Sequence, residues 1–252
     1  MKGMEGIKGV FFDLHGTLLV PTDIEAAWDD WLTAFHSCMG ECGLTMSREE
    51  FKDQIGDLFD RPAPEPEDAE ASTFERRVKD LGERLGLEID SGYLRLMIDH
   101  VLGVWHWYFR LDPEARAVLD YLKPRFSIAL ITNWDHAPWI YRLLSEHEIG
   151  GYFDSVTVSD EVGASKPDPR IFRAALEGTG LEPHEVVFVG DSPEDVRGAM
   201  AAGIQPILIS RDRHIKNWSQ VSDDKEMPLD EESEGIEGVV VIRDLSELFD
   251  LF

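Results

Sequence analysis

The stretch GVFFDLHGTLLV, residues 9–20, decides the fold that this sequence predicts. Its first four residues are apolar without polar alternation, as in a strand that is buried on both faces of a sheet. The apolar run ends at Asp13, and the Gly-Thr pair at 16–17 is typical of a loop. The segment therefore predicts a strand that delivers a carboxylate to a loop. His15 stands two positions after that carboxylate.

Four further apolar runs repeat the character of the first one. They are FSIALI (126–131), SVTV (155–158), VVFV (186–189) and PILI (206–209). Helix signals lie between and after them, and the residues that give these signals are Asp135 with Pro138, Asp168 with Pro169, and Ser192 with Pro193 and Asp195. Strands that alternate with helices predict an α/β fold with a doubly wound, Rossmann-like parallel sheet. A late run, VVVI (239–242), predicts an edge strand before a closing helix.

Residues 21–110 interrupt this alternation, because they contain several helical stretches and no good strand run. We expect a core domain made of residues 1–20 and 111–252 and an inserted all-helical domain made of residues 21–110. Sheets of this class bind ligands at the carboxyl ends of their strands, so an insert that follows the first strand is expected to act as a cap. Its aromatic residues predict packing between helices more than a substrate pocket, and they are Trp28, Trp31, Trp105, Trp107 and Tyr108.

Composition narrows the classes of partner. The 252 residues carry a formal net charge of −26 at pH 7, which would repel a nucleic-acid backbone. No apolar run is long enough to cross a membrane. The two cysteines, Cys38 and Cys42, lie four positions apart and lack a second pair, which favours reduced thiols in the cytoplasm over a metal site. The acidic stretch 211–238 predicts a solvated loop.

Polar residues follow the carboxyl ends of the predicted strands. They are Asp13, Thr132, Asn133, Lys166, Asp191 and Asp195. Because these strand ends meet at one edge of a doubly wound sheet, we expect the six side chains to lie together. Several acids, a hydroxyl, an amide and one lysine at a single edge are typical of a site for an anion and a divalent cation.

This set of groups suits phosphoryl transfer. A carboxylate at Asp13 can attack phosphorus and form a covalent intermediate. Asp13 and Asp191 can share Mg²⁺, a hard cation that prefers oxygen ligands. Lys166 supplies a fixed positive charge, and Thr132 and Asn133 can donate to phosphate oxygens. We therefore expect a small phosphorylated substrate.

Four motifs resemble, in order and spacing, those of the haloacid dehalogenase superfamily, most of whose members are phosphatases. They are DLHGTL (13–18), ITN (131–133), SKPDP (165–169) and GDSPED (190–195). The resemblance implies that Asp13 is the nucleophile, Lys166 the charge stabiliser and Thr132 a phosphate contact with Asn133 beside it. It also implies that Asp191 binds Mg²⁺. Asp195 would support the metal ligand Asp191 without binding the metal itself. Ser192 and Asp195 also match a helix capping box.

His15 departs from the family pattern. Phosphatases of this superfamily have aspartate at that position, where it acts as general acid and base and lends its main-chain carbonyl to Mg²⁺. The carbonyl role survives in any residue, and histidine is a common acid–base group. A neighbouring Mg²⁺ disfavours the protonated ring, so we expect His15 to be a better base than acid. A positional role, or loss of the proton transfer, is the alternative for this residue.

Two other functions compete with that of a phosphatase. A dehalogenase of the same superfamily would use Asp13 to attack carbon, but it would not need the carboxylates of GDSPED for a metal. A binding protein that has lost catalysis would have no need of three charged residues at an empty site. His136, just after the second strand, and Arg110, at the expected domain junction, are weaker site candidates, and helix-start packing is the better interpretation for His136.

Overall fold

A computed structural model of the protein describes residues 4–65, 71–211 and 239–252. Its strands are β1 (Gly9–Phe12), β2 (Leu19–Pro21), β3 (Phe109–Leu111), β4 (Ser127–Thr132), β5 (Ser155–Val158), β6 (Val186–Gly190), β7 (Gln205–Ile209) and β8 (Val240–Ile242). Six of them form a parallel sheet in the order β5-β4-β1-β6-β7-β8, and β2 pairs with β3. The predicted doubly wound α/β fold is confirmed.

The described residues fall into two compact units. The first contains residues 4–21, 110–211 and 239–252, and the second contains residues 22–65 and 71–109. The first unit holds the six-stranded sheet and the helices α5 (Ala115–Leu122), α6 (Ala137–Glu146), α7 (Ser159–Val162), α8 (Pro169–Thr179), α9 (Pro193–Ala201) and α10 (Leu248–Leu251). The second unit holds α1 (Ile24–Glu41), α2 (Arg48–Ile55), α3 (Thr73–Arg84) and α4 (Ser91–His106).

Strand β1 occupies the centre of the sheet, where it pairs with β4 on one side and β6 on the other. Gly9 lies opposite Ser127 and Val186 in the two registers. The chain runs from β1 to β4 and β5 on one side before it crosses to β6 and β7 on the other. Ligands bind doubly wound sheets at such a reversal of strand order. The topology therefore places the residue after β1, Asp13, at the switch point.

Two of the three predicted helix starts are confirmed. Asp168 caps α8 by accepting a hydrogen bond from the Arg170 N–H at 2.9 Å. Ser192 and Asp195 form a complete capping box at α9. The start predicted at Asp135 is wrong, because His136 is the N-cap residue of α6. A carboxylate from α7, that of Asp160, accepts from the first helical N–H of α6, and a cap from so distant a residue has no local sequence signal.

Sequence patterns also missed β2, β3 and α5. The two strands have three residues each, which is too short for a periodic signal, and their pairing partners are far apart in sequence. Much of the acidic stretch 211–238, predicted as a solvated loop, lies outside the described residues, but Arg211 is described.

The second unit buries part of its aromatic set. Trp31 is buried and contacts the rings of Trp28, Phe35 and Phe59 at centroid distances of 5.1 to 6.1 Å. Trp107, by contrast, is exposed. Both cysteines are free thiols. A search of the described helices found none with the length and apolar character of a membrane span.

The core of the first unit lies between α8, α9 and the sheet. Phe172 of α8 and Phe188 of β6 are both buried, and their rings meet edge to face at a centroid distance of 5.0 Å. The helices approach closely here, since a Cβ on Gly198 would lie 2.5 Å from the Phe172 ring. This packing fixes the strands whose ends carry the predicted site.

We expect Phe172→Ala to lower the free energy of unfolding by about 3–5 kcal/mol, because it removes a fully buried ring and leaves a cavity between helix and sheet. Urea unfolding followed by circular dichroism measures the change. Phe249→Ala, at a partly exposed position in α10, is the control and should cost far less. Equal losses in the two variants would contradict this account of the core.

Candidate active site

Asp13 lies directly after β1 and is buried. Its N–H donates to the carbonyl of Val189 at 2.9 Å, which continues the pairing of β1 with β6 and fixes the backbone that carries the carboxylate. Lys166 Nζ donates to Asp13 Oδ1 at 2.5 Å and lies 2.7 Å from Asp195 Oδ1. The structure therefore brings the predicted nucleophile, the predicted lysine and one of the two predicted acids together in a buried ion-pair network.

Three carboxylates converge at this point, those of Asp13, Asp191 and Asp195. One oxygen from each lies within 4.8 Å of the others. Asp13 Oδ2 is buried and has no hydrogen-bond donor within the described parts of the chain. Three acids face one lysine here, so the cluster has more potential negative charge than its own cation can balance. An oxygen-rich, electron-rich cluster of this kind fits Mg²⁺.

The pKa values of the site residues reflect this excess of negative charge. Burial raises the pKa of Asp13 to about 6, since the attraction of Lys166 offsets it only in part and Asp195 adds repulsion. Burial, together with repulsion from Asp13 and Asp195, also raises the pKa of Asp191 well above its usual range. For Lys166, burial works against the charged form, but the two neighbouring carboxylates outweigh it and raise the pKa. The lysine is therefore a permanent cation.

Asp195 combines the two roles that the sequence left open. Its Oδ2 accepts from the N–H groups of Asp191 and Ser192, both at 3.1 Å, and from the Ser192 hydroxyl at 2.8 Å. Its Oδ1 faces Lys166. Because both oxygens already have partners, Asp13 and Asp191 are the better direct ligands for a cation. The position of Asp195 behind Asp191 agrees with the predicted supporting role.

The turn that follows the predicted nucleophile, residues 14–19, packs against Asp191. We call it the nucleophile turn. Gly16 has a φ of +92°, and a Cβ at this residue would lie 2.2 Å from Asp191 Oδ2. Only glycine fits that conformation and that distance. Thr17 Oγ1 donates to Asp191 Oδ1 at 3.4 Å. Sequence reasoning assigned no role to Gly16 or Thr17, although both stand in the first motif.

Thr132 and Asn133 lie at the end of β4, as predicted. Thr132 is buried. The Asn133 side chain donates to the carbonyl of Lys166 at 3.0 Å and accepts from the Lys166 N–H at 2.7 Å. The amide of Asn133 thus holds the backbone of Lys166 at both ends. Its predicted contact with phosphate stays a prediction.

His15 is buried, and its ring stacks on that of Trp134. The centroids are 4.6 Å apart and the planes differ by 18°. Trp134 is fixed in turn, because its N–H donates to Ser159 Oγ at 2.8 Å and its carbonyl accepts from the same hydroxyl at 3.1 Å. His136 is buried at the start of α6, which agrees with the packing interpretation, whereas Arg110 is exposed.

Arg211 is a site residue that sequence reasoning missed. It follows β7, and its guanidinium donates to the carbonyls of Gly16 and Thr17 and to the carboxylate of Asp112. The strand-end rule that found the other residues also applies to β7, but the acidic character of the segment after it favoured a loop. Arg211 therefore joins the nucleophile turn to the segment after β3.

Comparisons with known proteins agree with this geometry. Residues 7–203 match the haloacid dehalogenase-like hydrolase family, and residues 163–248 match a second family described as HAD-hydrolase-like. The phosphoserine phosphatase of Thermus thermophilus is 40% identical over 109 residues, which are 41% of this chain and only 42% of that protein. The glyceraldehyde 3-phosphate phosphatase of Methanothermobacter thermautotrophicus is 28% identical over 250 residues, with 96% of this chain and 98% of that one covered.

A solved structure shows the same fold. The HAD phosphatase of Thermococcus onnurineus superposes with a TM-score of 0.65 at 21% identity, and the match covers 97% of each chain.

In protein stripped of divalent cations with EDTA, we expect Asp13→Asn to gain stability relative to the wild type as the pH rises. The folded-state pKa of Asp13 is raised from 3.8 to about 6, so the stability that its protonated form contributes is complete below pH 3.8 and is lost as the pH passes 6. Urea unfolding between pH 4 and 7 should show the gap widen by on the order of 2–3 kcal/mol. Lys166 keeps Asp195 as a partner in the variant.

The matched control is Asp154→Asn. Although burial opposes it, hydrogen bonds from Lys123 and Ser127 lower the pKa of Asp154 below 3.8, so the stability that its ionised form contributes is lost only below about pH 4, and the gap between the wild type and Asp154→Asn should stay nearly constant from pH 4 to 7. A gap between the wild type and Asp13→Asn that stays constant from pH 4 to 7 would contradict the raised pKa of Asp13.

Proposed function

Since the chain belongs to the haloacid dehalogenase-like hydrolase family, we propose that it is a Mg²⁺-dependent phosphatase of small phosphorylated metabolites. The observation that carries this proposal is the cluster of three carboxylates, two of them buried and paired with Lys166, in which Asp13 Oδ2 has no donor within the described residues. A permanently charged lysine beside a buried nucleophile suits an anionic substrate. Both curated relatives named above are phosphatases of small esters by name.

Asp13 is the nucleophile in this proposal. Its free carboxylate oxygen attacks phosphorus, the bond from phosphorus to the ester oxygen breaks, and an aspartyl-phosphate forms. The departing oxygen takes a proton from His15. Water then attacks the same phosphorus and gives its proton to His15, and the acyl phosphate P–O bond breaks. Inorganic phosphate leaves, and both Asp13 and His15 return to their starting states.

Lys166 and Thr132 hold the phosphoryl group. The ammonium of Lys166 already contacts Asp13, so a phosphoryl group bound at that carboxylate lies beside a fixed positive charge. Thr132, at the end of β4, is the proposed donor to a phosphate oxygen. Asn133 bonds the Lys166 backbone through both Oδ1 and Nδ2, which leaves only the second hydrogen of Nδ2 for a phosphate oxygen, so its main effect is on the lysine.

Mg²⁺ fits the acidic residues of this site. The proposed ligands are Asp13, Asp191 and the main-chain carbonyl of His15. Asp195 supports Asp191 by accepting a hydrogen bond from the main-chain N–H of Asp191. When bound, the cation offsets the charge of the carboxylates and of the phosphate oxygens. A cation held there would also favour the ionised form of Asp13, whose pKa burial raises to about 6.

The helical unit, residues 22–65 and 71–109, is the proposed cap. Its insertion after β1 in the sequence supports this role. Because the core residues recognise only the phosphoryl group, discrimination between phosphorylated metabolites falls to the cap. The two free cysteines support the proposed cytoplasmic location.

We expect Asp13→Asn to lower phosphate release by on the order of 10³-fold or more with any phosphate ester, because the covalent step is lost. A screen of phosphorylated metabolites with Mg²⁺, read by released phosphate, measures this. Beryllium fluoride with Mg²⁺ should protect the wild type against thermal unfolding as a mimic of the aspartyl-phosphate, and it should not protect Asp13→Asn.

Asp120→Asn is the control, since Asp120 contacts Tyr152 and lies outside the site. It should behave as the wild type does. Metal-independent release of halide from a haloacid would favour a dehalogenase instead. No turnover of any ester, together with no beryllium fluoride protection, would favour a binding protein.

A leaving-group series tests His15. We expect the wild type to turn over aryl phosphates faster than alkyl phosphates, because a neighbouring Mg²⁺ would leave few His15 rings protonated and alkoxide needs the proton more than phenoxide does. His15→Asp should shrink this ratio. His184→Asn, an exposed histidine of the same unit, is the control and should leave it unchanged. Equal wild-type rates for aryl and alkyl esters would count against a weakened acid.

A further inference from the structure

The guanidinium of Arg211 makes three contacts at once. One nitrogen donates to the carbonyl of Gly16, and the other donates to the carbonyl of Thr17 at 2.8 Å and to Asp112 Oδ2 at 2.8 Å. Such a pattern uses the planar fork of arginine, which presents several donors in fixed directions. A lysine ammonium, on a flexible chain with a single nitrogen, does not match it.

The nucleophile turn needs these donors. Within the turn, the N–H of Gly16 donates to the carbonyl of Leu19 at 2.7 Å, and the N–H groups of Leu18 and Leu19 both donate to the carbonyl of Leu14. These bonds use the carbonyls of Leu14 and Leu19. The carbonyls of Gly16 and Thr17 receive their donors from Arg211, and a partly buried carbonyl without a donor would cost stability.

The same two residues contact Asp191. Gly16 lies so close to the Asp191 carboxylate that a single added carbon would overlap it, and the Thr17 hydroxyl donates to Asp191 Oδ1 at 3.4 Å. A shift of the turn would therefore move the partners of Asp191. It would also move the carbonyl of His15, which precedes Gly16.

Charge alone does not explain Arg211. Asp112 is buried and pairs with it at 2.8 Å, so the guanidinium has a counter-ion of its own. The N–H of Asp112 donates to the carbonyl of Leu18 at 2.8 Å, which attaches Asp112 itself to the nucleophile turn. Arg211 and Asp112 thus hold the turn from two sides.

We propose that Arg211 is a positioning residue that fixes the nucleophile turn against Asp191 and thereby sets the affinity of the site for Mg²⁺. The inference rests on the proposed function, because it takes Asp13, Asp191 and the His15 carbonyl as the Mg²⁺ ligands. It adds to that function a residue outside the four motifs of the family. Asp112 is its anchor.

The test uses Arg211→Met and Arg211→Lys in the full chain. Titration calorimetry with Mg²⁺ on the protein without substrate should show affinity about 10–100-fold weaker in Arg211→Met, the loss typical of residues that support metal ligands. Arg211→Lys keeps the charge and loses the fork, so it should recover only a minor part of the affinity. With p-nitrophenyl phosphate, turnover by Arg211→Met should fall at Mg²⁺ concentrations that half-saturate the wild type and recover as Mg²⁺ is raised, while KM for the ester changes less than about twofold, since Lys166 and Thr132 stay in place.

Hydrogen–deuterium exchange gives a readout independent of turnover. Peptides that cover residues 14–19 should exchange at least about tenfold faster in Arg211→Met, because the turn opens more readily without its outer donors. The control is Arg116→Met. Arg116 also donates to two carbonyls, those of His147 and Glu148, and to the Glu148 carboxylate, but at the far end of α6. It should leave Mg²⁺ affinity and the exchange of the turn unchanged.

Three results would overturn the proposal. One is wild-type Mg²⁺ affinity and exchange in Arg211→Met. Another is full recovery of Mg²⁺ affinity and of slow exchange in Arg211→Lys, which would show that Arg211 acts through its charge. If Arg211→Met lacks a cooperative thermal transition, the test rests on Arg211→Lys. Exchange of residues 14–19 in Arg211→Lys at the wild-type rate would then overturn the proposal. A wild type that neither binds Mg²⁺ nor releases phosphate refutes the proposed function and this inference together, whereas an active wild type whose Mg²⁺ affinity is matched by that of Arg211→Met refutes the inference alone.

Discussion

The ion pairs of Lys166 are the interaction on which the rest of this site depends. A lysine ammonium loses its hydration when buried, and it stays charged here because Asp13 and Asp195 lie within 2.7 Å of it. The two acids gain in turn, since a buried carboxylate without a cation would be protonated at neutral pH. Asp191 adds a third acid that Lys166 does not contact, and this excess of negative charge is the reason that we propose a divalent cation at the cluster.

The parallel sheet makes this cluster possible. Asp13, Lys166 and Asp191 are far apart in sequence, and they meet because β1 lies at the centre of the sheet and the chain reverses direction there. Backbone contacts then hold each side chain in place. The amide of Asn133 holds Lys166 at both its N–H and its carbonyl, and Asp195 holds the start of α9 through two main-chain N–H groups. Packing between α8 and β6 supports both.

Sequence patterns predicted those parts of the molecule that depend on local periodicity or on strand ends. The strands of the main sheet were located within one residue, because a buried parallel strand is a short apolar run with clear limits. Helix starts were predicted where the capping residue is local, as at Asp168, and failed at α6, whose cap Asp160 comes from another element. Arg211 was missed although it follows a strand end, because the acidic segment after β7 favoured a loop and the partners Gly16 and Asp112 are distant in sequence.

His15 shows how one substitution can divide the functions of a position. The main chain there is fixed by the nucleophile turn, whose bonds involve Leu14, Gly16 and Leu19 and do not depend on the side chain at 15. A carbonyl ligand at that position is therefore independent of the residue type.

The side chain of His15 is held by a different contact. An imidazole ring is flat and can stack on Trp134, whereas a carboxylate cannot. Ser159 holds the main chain of Trp134 at both its N–H and its carbonyl, and the stacking of the indole on the His15 ring restricts the plane of the histidine. Histidine in place of the aspartate that the family resemblance implies thus leaves Asp13 and the proposed metal ligands as they are, and under the proposed mechanism it moves proton transfer from a carboxylate to a ring that stacks on Trp134.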